Sequence, residues 1–195
     1  DSMPPVLAER LIEKTLAKFQ RSLPRAKTSE LAKTLGFNPL ALHVAASTMG
    51  SKQIPYADMA QRLERNLLDT LVCTANAKRD QQCSQRAAIE VSWNLLDDES
   101  ESRSGLLSLA QTANAAIPGD LANALVGDSK PWRPLDDLVL VSLVYRDVEQ
   151  GHYQMHPLVY QWSLERGEHA DYEALRRAAQ DLSLIHISEP TRPFH

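Results

Sequence analysis

The stretch from Leu143 to His156, LVYRDVEQGHYQMH, decides the predicted fold because the periodicity of the chain changes there. Residues 143–148 and 152–156 have the length and composition of short strands, and the sequence EQG at 149–151 suits a turn between them. The sequence therefore predicts a small β-hairpin. Pro157 then begins a further helix, since proline is favoured at the first helical position.

The residues before the hairpin have helical periodicity. Between residues 86 and 141, apolar side chains recur every three or four positions in several short segments, for example at Ile89, Trp93 and Leu96. Helices followed by a hairpin and a last helix are the order of a winged-helix domain. We therefore expect a winged-helix domain over residues 86–170.

A second, wholly helical region precedes this domain. Helices are predicted over residues 5–21, 39–49 and 55–71, and a short one from a cap at Thr28 or Ser29 to residue 35. Asn38 is the expected N-cap of the third helix and Pro39 its first residue. Together these helices predict a helical bundle domain over residues 1–72. The fold class is thus mainly α: a helical bundle domain followed by a winged-helix domain with a small β-hairpin.

Three further segments complete the expected organisation. The polar stretch 73–85, CTANAKRDQQCSQ, breaks the helical periodicity and predicts a linker. Residues 171–181 are expected to start a further helical module. Residues 182–192, LSLIHISEPTR, resemble the translation of a transposase adapter from sequencing libraries, so we set aside 182–195 as an artefactual tail. We accordingly expect the chain to be a fragment that naturally continues beyond Asp181.

The composition indicates an ordinary soluble domain. The 195 residues are 43% hydrophobic and 24% charged, with a net charge of −4. No run approaches the roughly 18 apolar residues of a membrane span, and we predict no membrane partner. The two cysteines, Cys73 and Cys83, lie in a polar stretch, which favours reduced thiols. We expect a cytoplasmic protein.

No self-contained active site is predicted. The chain contains neither the phosphate loop G-x-x-x-x-G-K-[ST] nor a G-x-S-x-G or H-E-x-x-H motif. His152 and His156 would lie about 13 Å apart along a strand, too far to share a metal ion. We therefore predict no catalytic residue and no metal site, and that this chain by itself is not an enzyme.

Nucleic acid is a poor partner for the expected winged helix. Residues 86–170 hold six Lys and Arg against thirteen Asp and Glu. The helix before the hairpin carries Asp136 and Asp137 and, from Pro134 onwards, no basic residue, so it would repel a DNA backbone. A winged-helix transcription regulator stays open as an alternative, as does a helical protein-interaction module.

Four segments together carry a family resemblance. Residues 30–42, ELAKTLGFNPLAL, resemble the G-x-P segment of STAND-class signalling NTPases of the NB-ARC type, and residues 153–159, YQMHPLV, resemble their M-H-D segment. Residues 88–96, AIEVSWNLL, and 138–145, LVLVSLVY, resemble the first helix of that family's winged-helix domain and the approach to its wing. The resemblance covers about residues 5–170.

The resemblance implies a nucleotide-dependent switch in signal transduction or defence. In that family an ATP- or ADP-binding domain with its Mg²⁺ site precedes the region that this chain represents, and sensor repeats follow it. Pro39 would lie against the adenine, and His156 would donate a hydrogen bond to the β-phosphate of ADP. Exchange for ATP would open the protein for self-association. Pro157 stands where much of the family has Asp, so the resemblance does not define how strongly the ADP-bound form would be autoinhibited. It leaves open whether the full-length protein hydrolyses ATP slowly.

Overall fold

A computed structural model describes residues 3–72, 80–96, 101–112, 114–126 and 132–167. These residues are mainly helical, with a small antiparallel sheet of three strands, which confirms the mainly α class and the predicted hairpin. The expected helical module at 171–181 and the tail at 182–195 lie outside the described residues, as do residues 73–79 of the predicted linker.

The helices and strands follow one another in two groups. The first group is all helical: α1 (Pro5–Ala17), α2 (Arg25–Thr34), α3 (Pro39–Ser51), α4 (Tyr56–Val72) and α5 (Asp80–Asn94). The second group is mixed: α6 (Glu101–Leu109), β1 (Ile117–Pro118), α7 (Gly119–Val126), α8 (Trp132–Leu140), β2 (Val144–Asp147), β3 (His152–Met155) and α9 (Pro157–Gly167).

The chain divides into two compact units, and the division differs from the predicted domain boundaries. The first unit contains the chain up to Leu96 together with Leu140–Leu143, and the second contains residues 97–139 and those from Val144 onwards. Residues 80–85, which the sequence analysis placed in a linker, are helical and begin α5. That helix, expected to open the winged-helix domain, packs instead on α3 and α4 within the first unit.

Helix α3 forms the centre of the first unit, packed between α1 and α5. Its sequence is apolar or small on nearly every side, as expected of a helix that is buried all round, and nine of its residues are buried. The end of α3 is closed by Arg21, whose guanidinium donates to the carbonyl oxygens of Met49 and Ile54. The Met49 carbonyl also accepts from the Ile54 N–H at 3.0 Å, so one guanidinium holds the end of α3 against the segment that follows it.

In the second unit the sheet has the strand order β1-β3-β2. Val144 pairs with Met155 and Asp147 with His152 in the hairpin, while Pro118 of β1 pairs with His152 on the other side of β3. Gly151 has a φ of +66° in the hairpin turn, a conformation that glycine adopts without strain. The short strand β1 was not predicted from the sequence.

Candidate functional site

Pro39 occupies the first position of α3, as predicted. The ring is exposed, and the preceding residue, Asn38, is 3% exposed and accepts a hydrogen bond from the Ala41 N–H at 3.1 Å. Proline at this position costs no backbone hydrogen bond, because the first N–H groups of a helix have no partner within it. The segment therefore presents a fixed apolar ring at a capped helix start.

The turn that leads to Pro39 is fixed by two backbone hydrogen bonds and two residues with positive φ. The Phe37 N–H donates to the Ala32 carbonyl at 2.9 Å and the Gly36 N–H to the Lys33 carbonyl at 3.0 Å, which together close the end of α2 in a Schellman motif. Gly36 and Phe37 both have positive φ, +59° and +54°. Two consecutive left-handed residues thus reverse the chain immediately before the helix that carries Pro39.

His156 lies directly after β3 and directly before Pro157, the first residue of α9. The His156 Nδ1 atom accepts a hydrogen bond from the Leu158 N–H at 3.2 Å, so the imidazole caps the start of α9. The residue is exposed at the surface, but partial desolvation of its ring lowers the pKa of His156, which favours the neutral ring. Because Nδ1 accepts, the proton of the neutral ring lies on Nε2, where it can be donated to a ligand.

The two predicted site residues lie in different units. Pro39 belongs to the first unit and His156 to the second. Both side chains are exposed, as a ligand contact requires.

The described residues give no support to a metal centre. Among them, no group of three or more His, Cys, Asp and Glu side chains is placed to hold a metal ion. His152 lies on β3 as predicted, whereas His156, predicted as the last residue of that strand, lies just beyond it. The Nδ1 atom of His152 is buried without a hydrogen-bond partner. Asp147, the cross-strand neighbour of His152, directs its carboxylate to the N–H groups of Glu149 and Gln150 in the hairpin turn.

One detail of the predicted charge pattern requires correction. Helix α8 begins at Trp132, two residues before the predicted start at Pro134, and so includes an exposed basic residue, Arg133. On the same helix, Asp136 forms an ion pair with Arg146 of β2, with 3.8 Å between Asp136 Oδ1 and Arg146 Nη1. The helix before the hairpin is therefore acidic but not free of basic residues.

A polar cluster around His43, in the middle of α3, was not predicted from the sequence. Both ring nitrogens of His43 lie within hydrogen-bonding distance of hydroxyl groups, those of Thr15 and Ser142. The available indication was a single histidine in a helix that otherwise carries no titratable side chain. Ser142 could not have been found in this way, since it is 99 residues away in the sequence.

Comparison with known protein families and with curated proteins finds no match to this chain. Within the described ranges, no helix is both long enough and apolar enough to cross a membrane.

Proposed function

We propose that this chain is the regulatory portion of an ATP/ADP-dependent signalling switch of the STAND class, NB-ARC type. The observation that carries the proposal is the second unit, in which an exposed His156 directly follows a sheet ordered β1-β3-β2. In chain order this unit contains the helix α6, the strand β1, the helices α7 and α8, and the hairpin of β2 and β3, and β1 pairs with β3. This order is typical of a winged-helix domain, which the family resemblance requires at this place in the chain.

In this proposal His156 holds the β-phosphate of ADP. Its Nδ1 atom already accepts from the Leu158 N–H at 3.2 Å, so the Nε2 N–H is the group that donates to the phosphate. Hydrogen bonds to a charged partner contribute about 1.5–3 kcal/mol. Pro157 carries no polar side chain where much of the family has Asp, so the phosphate contact in the M-H-D-like segment is assigned to His156.

Pro39 supplies the apolar contact in the same proposal. Its exposed ring is held in one orientation by the fixed φ of proline and by the buried cap of Asn38. An apolar ring without an N–H group can pack on an adenine without leaving a polar group unpaired. The proposed role therefore needs only an exposed apolar ring in a fixed orientation, which Pro39 has at the start of α3.

The proposed mechanism is a shift between two populations. ADP would bridge the nucleotide-binding domain of the uninterrupted protein and His156, and so stabilise the closed form. A ligand shifts such an equilibrium only by its difference in affinity for the two forms, so exchange for ATP must remove the contact with His156. The open form would self-associate. The nucleotide domain with its Mg²⁺ site, the sensor repeats and a cytoplasmic location belong to the same proposal.

The sequence of the complete gene tests whether the chain belongs to such a signalling switch. Sequencing the uninterrupted gene across both ends of this reading frame should reveal a G-x-x-x-x-G-K-[ST] loop upstream of residue 1 and a natural sequence after Asp181. A complete reading frame without such a loop would contradict the switch and leave a helical protein-interaction module in its place.

A winged-helix DNA-binding regulator is the second candidate, and Arg133 is the observation that favours it. This exposed basic side chain lies in the first turn of α8, the helix that would enter the major groove. Asp136 and Asp137 lie on the same helix and oppose phosphate binding. A gel-shift titration with random duplex DNA at low salt separates the two candidates.

A further inference from the structure

Residues 140–143, the anchor segment, run from the last residue of α8 to the residue before β2. They are grouped with the first unit, although the residues before and after them belong to the second. Ser142 attaches this segment to α3: its hydroxyl donates to Ser47 Oγ at 2.8 Å, and its oxygen lies 3.2 Å from His43 Nε2. The chain therefore contacts α3 through a short segment that lies between two elements of the second unit.

Two successive turns of α3 hold Ser142. Ser47 lies four residues after His43, so the two side chains are on the same face of the helix. Because the Ser142 hydroxyl hydrogen is directed to Ser47, the Ser142 oxygen is free to accept from His43 Nε2. On the other side of the ring, His43 Nδ1 lies 3.3 Å from Thr15 Oγ1 of α1, whose own hydrogen goes to the Leu11 carbonyl. The ring is thus held between α1 and the anchor segment.

Two features oppose detachment of the anchor segment from α3. Val141 and Leu143, the neighbours of Ser142, are both buried in a segment that is grouped with the first unit, so detachment would return apolar surface to water. Ser47 is only 3% exposed, and detachment would remove the hydroxyl that donates to it. Both the apolar and the polar contacts of the segment therefore favour the attached form.

One feature favours detachment, namely the backbone conformation of Ser142. Its φ of +57° lies in the left-handed region that residues other than glycine rarely adopt. Such a conformation persists only where the surrounding contacts determine it. Since Ser142 keeps this conformation, the contacts of the anchor segment outweigh the strain.

We propose that the anchor segment stays attached to α3 in both the closed and the open form of the switch. It is a fixed point in the change between the two forms, and the backbone rearrangement that accompanies opening falls outside residues 140–143. The opposite role is a latch that must leave α3 before the protein opens, and the buried neighbours of Ser142 oppose that role. This inference rests on the proposed function, because it concerns the change between its two forms.

Hydrogen exchange of the uninterrupted wild-type protein tests the proposal without any variant. The peptide containing residues 140–143 should exchange at the same rate in the ADP-bound and ATP-bound forms. Faster exchange of this peptide in the ATP-bound form would overturn the proposal, because it would show that the segment leaves α3 on opening. A wild-type protein that does not self-associate after exchange for ATP would contradict the proposed function itself, and the two failures are thereby distinguished.

A disulfide between positions 47 and 142 provides a second test, because it makes the attachment permanent. The two hydroxyl oxygens are 2.8 Å apart, and two bonded sulfur atoms need about 2.0 Å, so Ser47→Cys combined with Ser142→Cys should pair with little movement. Peptide mapping identifies this pair, since the chain also contains Cys73 and Cys83. Failure of the two introduced cysteines to pair in the folded protein would overturn the proposal.

The oxidised and reduced forms of this double variant are then compared in the uninterrupted protein. The rate of ADP dissociation and the self-association that follows exchange for ATP, measured by sedimentation, should be the same in both forms. Wild type taken through the same oxidation is the control for the native cysteines. Slower ADP dissociation and loss of self-association in the oxidised variant alone, both restored by a reductant, would overturn the proposal and make the segment a latch.

Discussion

The ring of Phe19 occupies the space beside Gly50, on the last turn of α3. A Cβ atom added at Gly50 would lie no more than 3.0 Å from three ring carbons of Phe19. Glycine at this position therefore reflects the close approach of an aromatic ring to the helix backbone. It does not reflect the backbone conformation, since Gly50 lies within an α-helix.

Gly50→Ala should consequently destabilise the first unit. Alanine is favoured over glycine in a helix by about 1 kcal/mol, but forcing extra atoms into a packed site costs typically about 1–3 kcal/mol. Urea denaturation should show a lower midpoint with an unchanged slope. The matched control is Phe19→Leu combined with Gly50→Ala, which should recover stability relative to Gly50→Ala alone. A stabilised single variant would contradict the contact.

Asn38→Ala should lower the free energy of unfolding by about 1 kcal/mol. The substitution leaves the Ala41 N–H without the side-chain acceptor that lies 3.1 Å away in the wild-type protein. Asn38→Asp retains a side-chain oxygen that can accept this hydrogen bond, so its free energy of unfolding should fall less than that of Asn38→Ala. Thermal unfolding of the three proteins makes the comparison, and equal stability of Asn38→Ala and wild type would show that the cap contributes nothing.

Stability should decrease in mild acid, in part through His156. Burial lowers the pKa of His156 below that of the unfolded chain, so the folded protein binds fewer protons than the unfolded one. Its contribution is fully present above about pH 6.5 and is lost as the pH falls through the folded pKa. The melting temperature, measured from pH 7.5 to 5.0, should fall less steeply in His156→Asn, which retains a capping side chain. Parallel curves for the two proteins would contradict this assignment.

No salt-dependent binding to random duplex DNA is expected. In the second unit Arg133 stands beside Asp136 and Asp137, whereas DNA affinity depends mainly on neutralising phosphates. A gel-shift titration at low salt with the whole chain should show no complex at micromolar protein. Tight binding that weakens steeply with added salt would favour the transcription regulator over the switch.

The sequence predicted those parts of the fold that depend on local rules. Asn38 and Pro39 start α3 because the cap and the fixed φ of proline act within a single turn. The hairpin was predicted because its strands and turn differ in composition from the helices around them. His156 was placed at the end of its strand for the same reason.

The parts that were missed depend on distant contacts. Helix α5 begins within a polar stretch without apolar periodicity, yet Cys83 and Ser84 in that stretch are buried, and Ser84 Oγ would lie 3.6 Å from a Cβ at Gly36. Strand β1 has two residues, one of them proline, and is a strand only because it pairs with β3. The cluster at His43 requires Ser142, which local sequence cannot bring near α3.

The most direct test of the proposed switch is the rate at which ADP dissociates from the uninterrupted protein. Wild type is compared with His156→Ala and with His152→Ala, a matched control at the first residue of β3, the strand that His156 follows. Loss of a hydrogen bond to a charged group corresponds to roughly 10- to 100-fold faster dissociation. We expect this acceleration for His156→Ala and a rate close to wild type for His152→Ala. An unchanged rate in His156→Ala would contradict the role of His156 in holding ADP.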